Sequence, residues 1–177
     1  MEHNDAELGG EVLFNLIHDI AQGVVRKFFM LMYSRPLKVK LDAYGVDGPA
    51  IEPKRAHLTD AGLDIMTPKS FTLPAGGSAT IHTGVHIELP GNTVGILKSK
   101  SGLHVCHDII GEGVIDEGYD GEIVVKLHNL GEYAYHFERG QKVIQLLVMP
   151  VLYCPVNIVD EVRGGERGSD GFGSTGA

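Results

Sequence analysis

GVIDEGYDGEIVVKL, residues 113–127, carries the pattern from which the rest of the chain can be organised. It reads as a strand through Val114-Ile115, a tight turn at Asp116-Glu117-Gly118, and a second strand from Tyr119 through Val125. The expectation is a narrow hairpin. Glycines at 111, 113, 118 and 121 punctuate it. Backbone free of side-chain bulk can bring N–H and C=O groups against a flat ring. Asp116 and Tyr119 are the two side chains here with chemistry to offer.

Working outward, the same alternation recurs along the chain. Leu37, Val39 and Leu41 make one strand face, Val85, Ile87 and Leu89 a second, and Ile123, Val125 and Leu127 a third. Val143 to Val148 is nearly continuous in apolar residues, the mark of a strand buried on both faces. Turn signals separate these runs at Pro74-Ala75-Gly76-Gly77, Pro90-Gly91-Asn92, Asn129-Leu130-Gly131 and Arg139-Gly140. Many short strands with regular turns predict an all-β protein, a jelly-roll-like β-sandwich or barrel.

Both ends depart from this pattern. Leu13, Phe14, Ile17, Ile20, Ala21, Val24, Val25 and Phe28 fall at helical spacing, with Asn15, His18, Asp19, Gln22 and Arg26 opposite. Residues 1–35 are therefore read as an amphipathic helical extension, which packs on its own domain or oligomer or docks on another protein. Asp19, Arg26 and Lys27 interrupt the run, so a membrane span is not expected. The features of a signal peptide are missing. Residues 36–162 form the β core. Residues 163–177, RGGERGSDGFGSTGA, are too rich in Gly and Ser for a core position and are expected to be a mobile arm when nothing is bound.

The 177 residues suit one β domain with a real core. A net charge of −8 argues against a non-specific grip on nucleic acid. A polyanionic small molecule could still bind a local cluster of Lys, Arg and backbone N–H groups. Cys106 and Cys154 lack CxxC spacing, and the nine histidines show no HExxH, so neither zinc nor a disulfide framework is suggested. Two reduced cysteines fit a cytoplasmic setting.

Five stretches carry more polar and glycine content than a plain sandwich needs. They are DAGLDI (60–65), KSKSGL (98–103), GEGVIDEGYDGE (111–122), ERGQKVIQL (138–146) and RGSDGFGSTG (167–176). In this order they resemble the five motifs of the trimeric dUTP pyrophosphatases, the dUTPases, over Leu37 to Ala177. The resemblance implies hydrolysis of dUTP to dUMP and pyrophosphate by in-line water attack at the α-phosphorus. It implies Mg2+ as cofactor, chelated by the triphosphate, with no direct protein ligand and Asp64 near the metal-bound water. It also implies a homotrimer with composite active sites.

Residue by residue, the resemblance makes Asp116 the catalytic carboxylate that orients and deprotonates the water. Tyr119 packs on the deoxyribose and leaves no room for a 2′-hydroxyl. The backbone around Gly113, Val114 and Ile115 pairs with the uracil edge, and Ile110 and Val124 flank that pocket. Lys100, Ser101 and Gly102 meet the phosphates, with Lys142 and Gln145 nearby. In the arm, Arg167 pairs with the γ-phosphate, Gly171, Gly173, Ser174 and Thr175 form an anion cradle, and Phe172 lies over the uracil. The chain departs from the family where Pro-Arg-Ser is common, having Ser99-Lys100-Ser101 instead. Lysine keeps the charge without the planar fork of arginine.

Two rivals are weighed against this. The dCTP deaminases share the fold and resemble the chain, with a glutamate base in a stretch like GFxGxLTLEL. Here GYDGEIVVKL puts Lys126 in that place, which cannot shuttle the proton. A regulatory protein that keeps the fold and binds a partner, switched by nucleotide, is the alternative from another class. Asp116, Arg167 and Phe172 argue that catalysis is retained.

Overall fold

The computed structural model describes residues 17–27, 36–162, 164, 165 and 168. Residues 17–27 form helix α1. Its Ile17, Ile20, Val24 and Val25 are exposed, so among the described residues nothing covers the apolar face that the sequence predicts. The ends of that pattern, Leu13, Phe14 and Phe28, lie outside the described residues. So do Arg167, Gly171, Phe172, Gly173, Ser174 and Thr175 of the expected arm.

The core runs β1 (Lys38–Leu41), β2 (Leu63–Met66), β3 (Phe71–Leu73), β4 (Ser78–Glu88) and β5 (Thr93–Lys98). Helix α2 (Ser101–His107) follows, then β6 (Ile109–Ile110), β7 (Glu112–Ile115), β8 (Glu122–Asn129), β9 (Tyr135–Phe137) and β10 (Lys142–Pro150). Among the described residues these strands make two four-stranded sheets, ordered β1-β4-β8-β6 and β2-β10-β5-β7, and a two-stranded β3-β9 ribbon. The ladders are antiparallel. This is the expected β-sandwich of jelly-roll type, with inward-facing side chains of the two sheets meeting in the middle.

Alternation explains the core. Ile81, Val85 and Ile87 of β4 and Ile123, Val125 and Leu127 of β8 point inward and are buried. They meet Leu63 and Ile65 of β2, Leu97 of β5, Ile115 of β7, and Val143, Ile144 and Leu146 of β10. Phe137 closes one end, stacked on Phe71 at 4.8 Å between ring centroids. The apolar run of β10 is legible in its position, since it sits between β2 and β5. Val39 and Leu41, expected to share one strand face, are exposed on β1, which among the described residues is an edge strand paired with β4.

One expectation is corrected. The strands on either side of Asp116-Glu117-Gly118 do not pair as a hairpin. β7 ladders onto β5 and β8 onto β4, so the chain crosses from one sheet to the other through residues 116–121. The second strand accordingly starts at Glu122 rather than Tyr119.

Candidate active site

The crossing from β7 to β8 is fixed by polar contacts rather than by a ladder. Its first four residues close a turn, with the Tyr119 N–H donating to the Asp116 carbonyl at 3.1 Å. Gly118 holds φ at +85°, the left-handed value that the third position of a type II turn requires. Asp116 and Tyr119 therefore stand at the two ends of one turn. Asp116 is exposed. The Tyr119 ring folds back over Gly121, where a Cβ would collide with its phenol, and the hydroxyl donates to the Glu122 carbonyl at 3.0 Å. Glu117, between them, accepts from the Asn92 N–H at 2.8 Å and from the Tyr153 hydroxyl at 2.6 Å. The Tyr153 and Asn92 hydrogen bonds hold its carboxyl below the usual range.

β7 leads into this turn with Gly113, Val114 and Ile115 opposite Leu97, Ile96 and Gly95 of β5. Among the described residues β5 is its only ladder partner. The half of its N–H and C=O groups that faces away from β5 is left available for another pairing. Val114 is exposed and Ile115 is buried. Ile110 lies on β6 opposite His128, and Val124 projects from the outer face of β8, between the buried Ile123 and Val125.

A second cluster forms where β2, β5 and β10 meet the start of α2. Asp64, inside β2, is buried with both carboxylate oxygens occupied. Lys100 Nζ bonds one and Lys142 Nζ lies 2.6 Å from the other. Burial opposes ionisation of Asp64, but the hydrogen bonds from Lys100 and Lys142 outweigh it and hold the carboxyl below its ordinary value. Gln145 sits beside Asp64 and Lys98 in register and donates to the Ser99 carbonyl at 3.0 Å. Gly62 makes room for its carboxamide. Ser101 and Gly102 open α2, with Lys100 at the N-cap. An open cleft of about 530 Å3 lies here, lined by Lys100, Gly102, Leu103, Gln141 and Lys142 among others.

Ser99 joins the two clusters. Its hydroxyl accepts from the Gly111 N–H at 2.9 Å and donates to the Gly111 carbonyl at 3.1 Å. Gly111 itself has no space for a side chain, since a Cβ would lie 2.8 Å from Leu127 Cδ2 and 2.9 Å from the Lys126 carbonyl. Sequence reasoning passed over Ser99, Glu117 and Glu122 as site-forming residues. Only Ser99 carried a signal, as a hydroxyl where the resembled motif commonly has proline.

The donor set also bears on Mg2+. Among the described residues no three His, Cys, Asp or Glu side chains converge as a metal cage. Asp64, the buried carboxylate of the site, has both oxygens on ammonium groups. An ion carried largely by phosphate and water, as Mg2+ is commonly bound, is compatible with these residues.

Comparison with known proteins gives the same answer from three sides. The dUTPase family model matches residues 49–176. The deoxyuridine 5'-triphosphate nucleotidohydrolase of Gloeothece citriformis is 40% identical over 141 residues, spanning 78% of this chain and 97% of that protein. The dUTPase of Staphylococcus bacteriophage 80alpha, a mutant solved with dUpNHpp, superposes with a TM-score of 0.72 at 29% identity, over 81% of this chain and 100% of the other. A mutant dUTPase from phage phi11 of S. aureus, solved with a coordinated structural Mg(II) ion, gives 0.64 at 27% identity, over 72% and 98%. With its β-sandwich, its motif order and these matches in agreement, the chain belongs to the dUTPase family.

Proposed function

We propose that the chain is a dUTP diphosphatase, hydrolysing dUTP to dUMP and pyrophosphate by in-line attack of water on the α-phosphorus. The observation that carries this reading is the crossing between the sheets. A β7 backbone edge with no ladder partner among the described residues runs directly into a turn that holds a carboxylate at one end and an aromatic ring at the other. Backbone donors and acceptors along Gly113–Ile115 suit the polar edge of a uracil ring, and the bare Cα of Gly113 permits close approach. Tyr119, braced against Gly121 and Glu122, suits one face of a deoxyribose and crowds a 2′-hydroxyl.

Asp116 is the general base. An exposed carboxylate at a turn can hold a water and accept its proton as the oxygen attacks. Ser101 and Gly102, at the first turn of α2, have N–H groups without helical acceptors, which suit the charge that builds on the leaving pyrophosphate. Lys100 and Lys142 supply positive charge beside them, and Asp64 fixes where those ammonium groups stand. When bound with the triphosphate, Mg2+ supplies further neutralisation of phosphate charge. Arg167, Gly171, Phe172, Gly173, Ser174 and Thr175 complete the clamp on the γ-phosphate and cover the base.

The reading includes a homotrimer with composite sites and a cytoplasmic setting. Among the described residues no helix is long and apolar enough to cross a membrane. It divides the chain into an extension of residues 1–35, a core of 36–162 and an arm of 163–177. Asp116→Asn tests the chemistry. The amide keeps the shape but cannot take the proton, so kcat falls by about 10²- to 10⁴-fold while dUTP affinity stays within a few-fold. Turnover close to the parent removes Asp116 from the role of base.

A further inference from the structure

His86, on β4, turns its two ring nitrogens to two different acceptors. Nε2 lies 2.9 Å from Asp42 Oδ2, just past the end of β1, and Nδ1 lies 2.9 Å from the backbone carbonyl of Asp120. A carbonyl only accepts, and so does a carboxylate. Neutral imidazole has a single N–H, so both contacts coexist only on the imidazolium. Asp42 is itself held in place. Its N–H donates to the Gly84 carbonyl, its carbonyl accepts from the Ala50 N–H, and Lys40 Nζ is 3.2 Å from its other carboxylate oxygen. Asp120 belongs to no strand and lies in the crossing that carries Asp116 and Tyr119.

We propose that His86 is a positioning residue for the active site: in its protonated form it ties the Asp120 carbonyl to Asp42 and so fixes the stance of the crossing that presents Tyr119 and Asp116. The proposal rests on the reading of that crossing as the nucleotide site. A cleft of about 280 Å3 opens between β1, β4 and the crossing, lined by Lys40, His86, Leu89, Gly118, Tyr119 and Asp120 among others. His86 reaches along this cleft from β4 to the Asp120 carbonyl of the crossing.

The charged surroundings favour the imidazolium. Lys40 and Asp42 face His86 from the β1 side, and Tyr119 and Asp120 from the crossing. Glu122 of β8 is its partner in register, with the carboxylate turned to the Gly84 N–H and to His82. Lys38 and Glu88, paired with each other, line the same cleft. The hydrogen bonds to Asp42 and to the Asp120 carbonyl raise the His86 pKa above its ordinary value, against burial and the Lys40 charge. A histidine raised on folding contributes fully below its unfolded pKa, and the contribution is lost as pH rises through the folded value. The clamp thus loosens on the alkaline side.

The test measures kcat and KM for dUTP with Mg2+ from about pH 5.5 to about 9, a span that includes the ordinary histidine value and the alkaline side of it. Wild type is compared with His86→Gln, which offers one contact's worth of donor at every pH, and with Asp42→Asn. In wild type KM rises about three- to tenfold across the titration, the effect of one hydrogen bond. In His86→Gln KM is already raised and this limb disappears, and in Asp42→Asn it moves to lower pH, with kcat changing less. A limb unchanged in both variants overturns the proposal. The 15N shifts of the His86 ring, read without nucleotide, separate it from the functional reading. A ring with both nitrogens protonated to higher pH than an ordinary histidine supports the clamp, and a ring that loses its proton at or below the ordinary histidine value overturns it. A protonated ring in a protein that does not hydrolyse dUTP sinks the functional reading, and with it the role in catalysis.

Discussion

Asp64→Asn replaces one oxygen by an NH2 group in a position built for a carboxylate. The Asp64 side chain is 5% exposed, and its partners Lys100 and Lys142 are 25% and 38% exposed. Removing one member of a fully buried ion pair costs about 3–5 kcal/mol. Here both ammonium groups can swing toward water, so the loss is reduced to about 1–3 kcal/mol. For a chain of this size each kcal/mol lowers Tm by about 2–4 °C, giving a fall of roughly 2–12 °C by scanning calorimetry at neutral pH. The pH dependence follows from the lowered pKa of Asp64. Its stabilisation is fully present above the unfolded value of about 3.9 and is lost as pH falls through the lower folded value. The gap between wild type and variant therefore persists into mild acid and closes only in strong acid. A variant with the wild-type Tm at neutral pH, or a gap already closed near pH ~6 where a carboxylate is still ionised, refutes the junction of Asp64 with the two lysines.

Further outcomes follow from the glycines and from the arm. Gly121→Ala forces the Tyr119 phenol from its place. It is expected to raise KM for dUTP and narrow the preference for dUTP over UTP, and an unchanged ratio would remove Tyr119 from sugar discrimination. Gly111→Ala drives a Cβ against Leu127 and the Lys126 carbonyl, and overpacking of this kind costs about 1–3 kcal/mol by urea denaturation. Deleting residues 167–177 is expected to abolish dUTP hydrolysis while leaving the Tm of the core unchanged. Hydrolysis at the wild-type rate would detach the arm from the site.

The fold was legible because its cause is local. Ile123, Val125 and Leu127 alternate along β8 and are buried, and the apolar run of β10 lies between two partner strands. The motif order placed the chain in its family without any geometry. What sequence did not disclose depends on distant pairs. Nothing local at Asp116-Glu117-Gly118 says that the strands on either side join different sheets, because a two-strand alternation looks the same whichever neighbour it finds. Helix α2 was missed since seven residues give too few turns for a periodic signal. Asp64 could be read as polar, but its two lysines arrive 36 and 78 residues later in the chain. His86 meets Asp42 and Asp120 at separations of 44 and 34 residues, and a lone histidine on an alternating strand gives no hint of either.

The central claim is that the crossing from β7 to β8 forms a dUTP-hydrolysing site. Pyrophosphate release from dUTP, dTTP, UTP and dCTP, each with Mg2+ and with EDTA, tests it most directly. The account predicts release from dUTP with Mg2+, strong discrimination against the other three nucleotides, and a marked fall in EDTA. Equal release from all four, or none from dUTP with Mg2+, contradicts it.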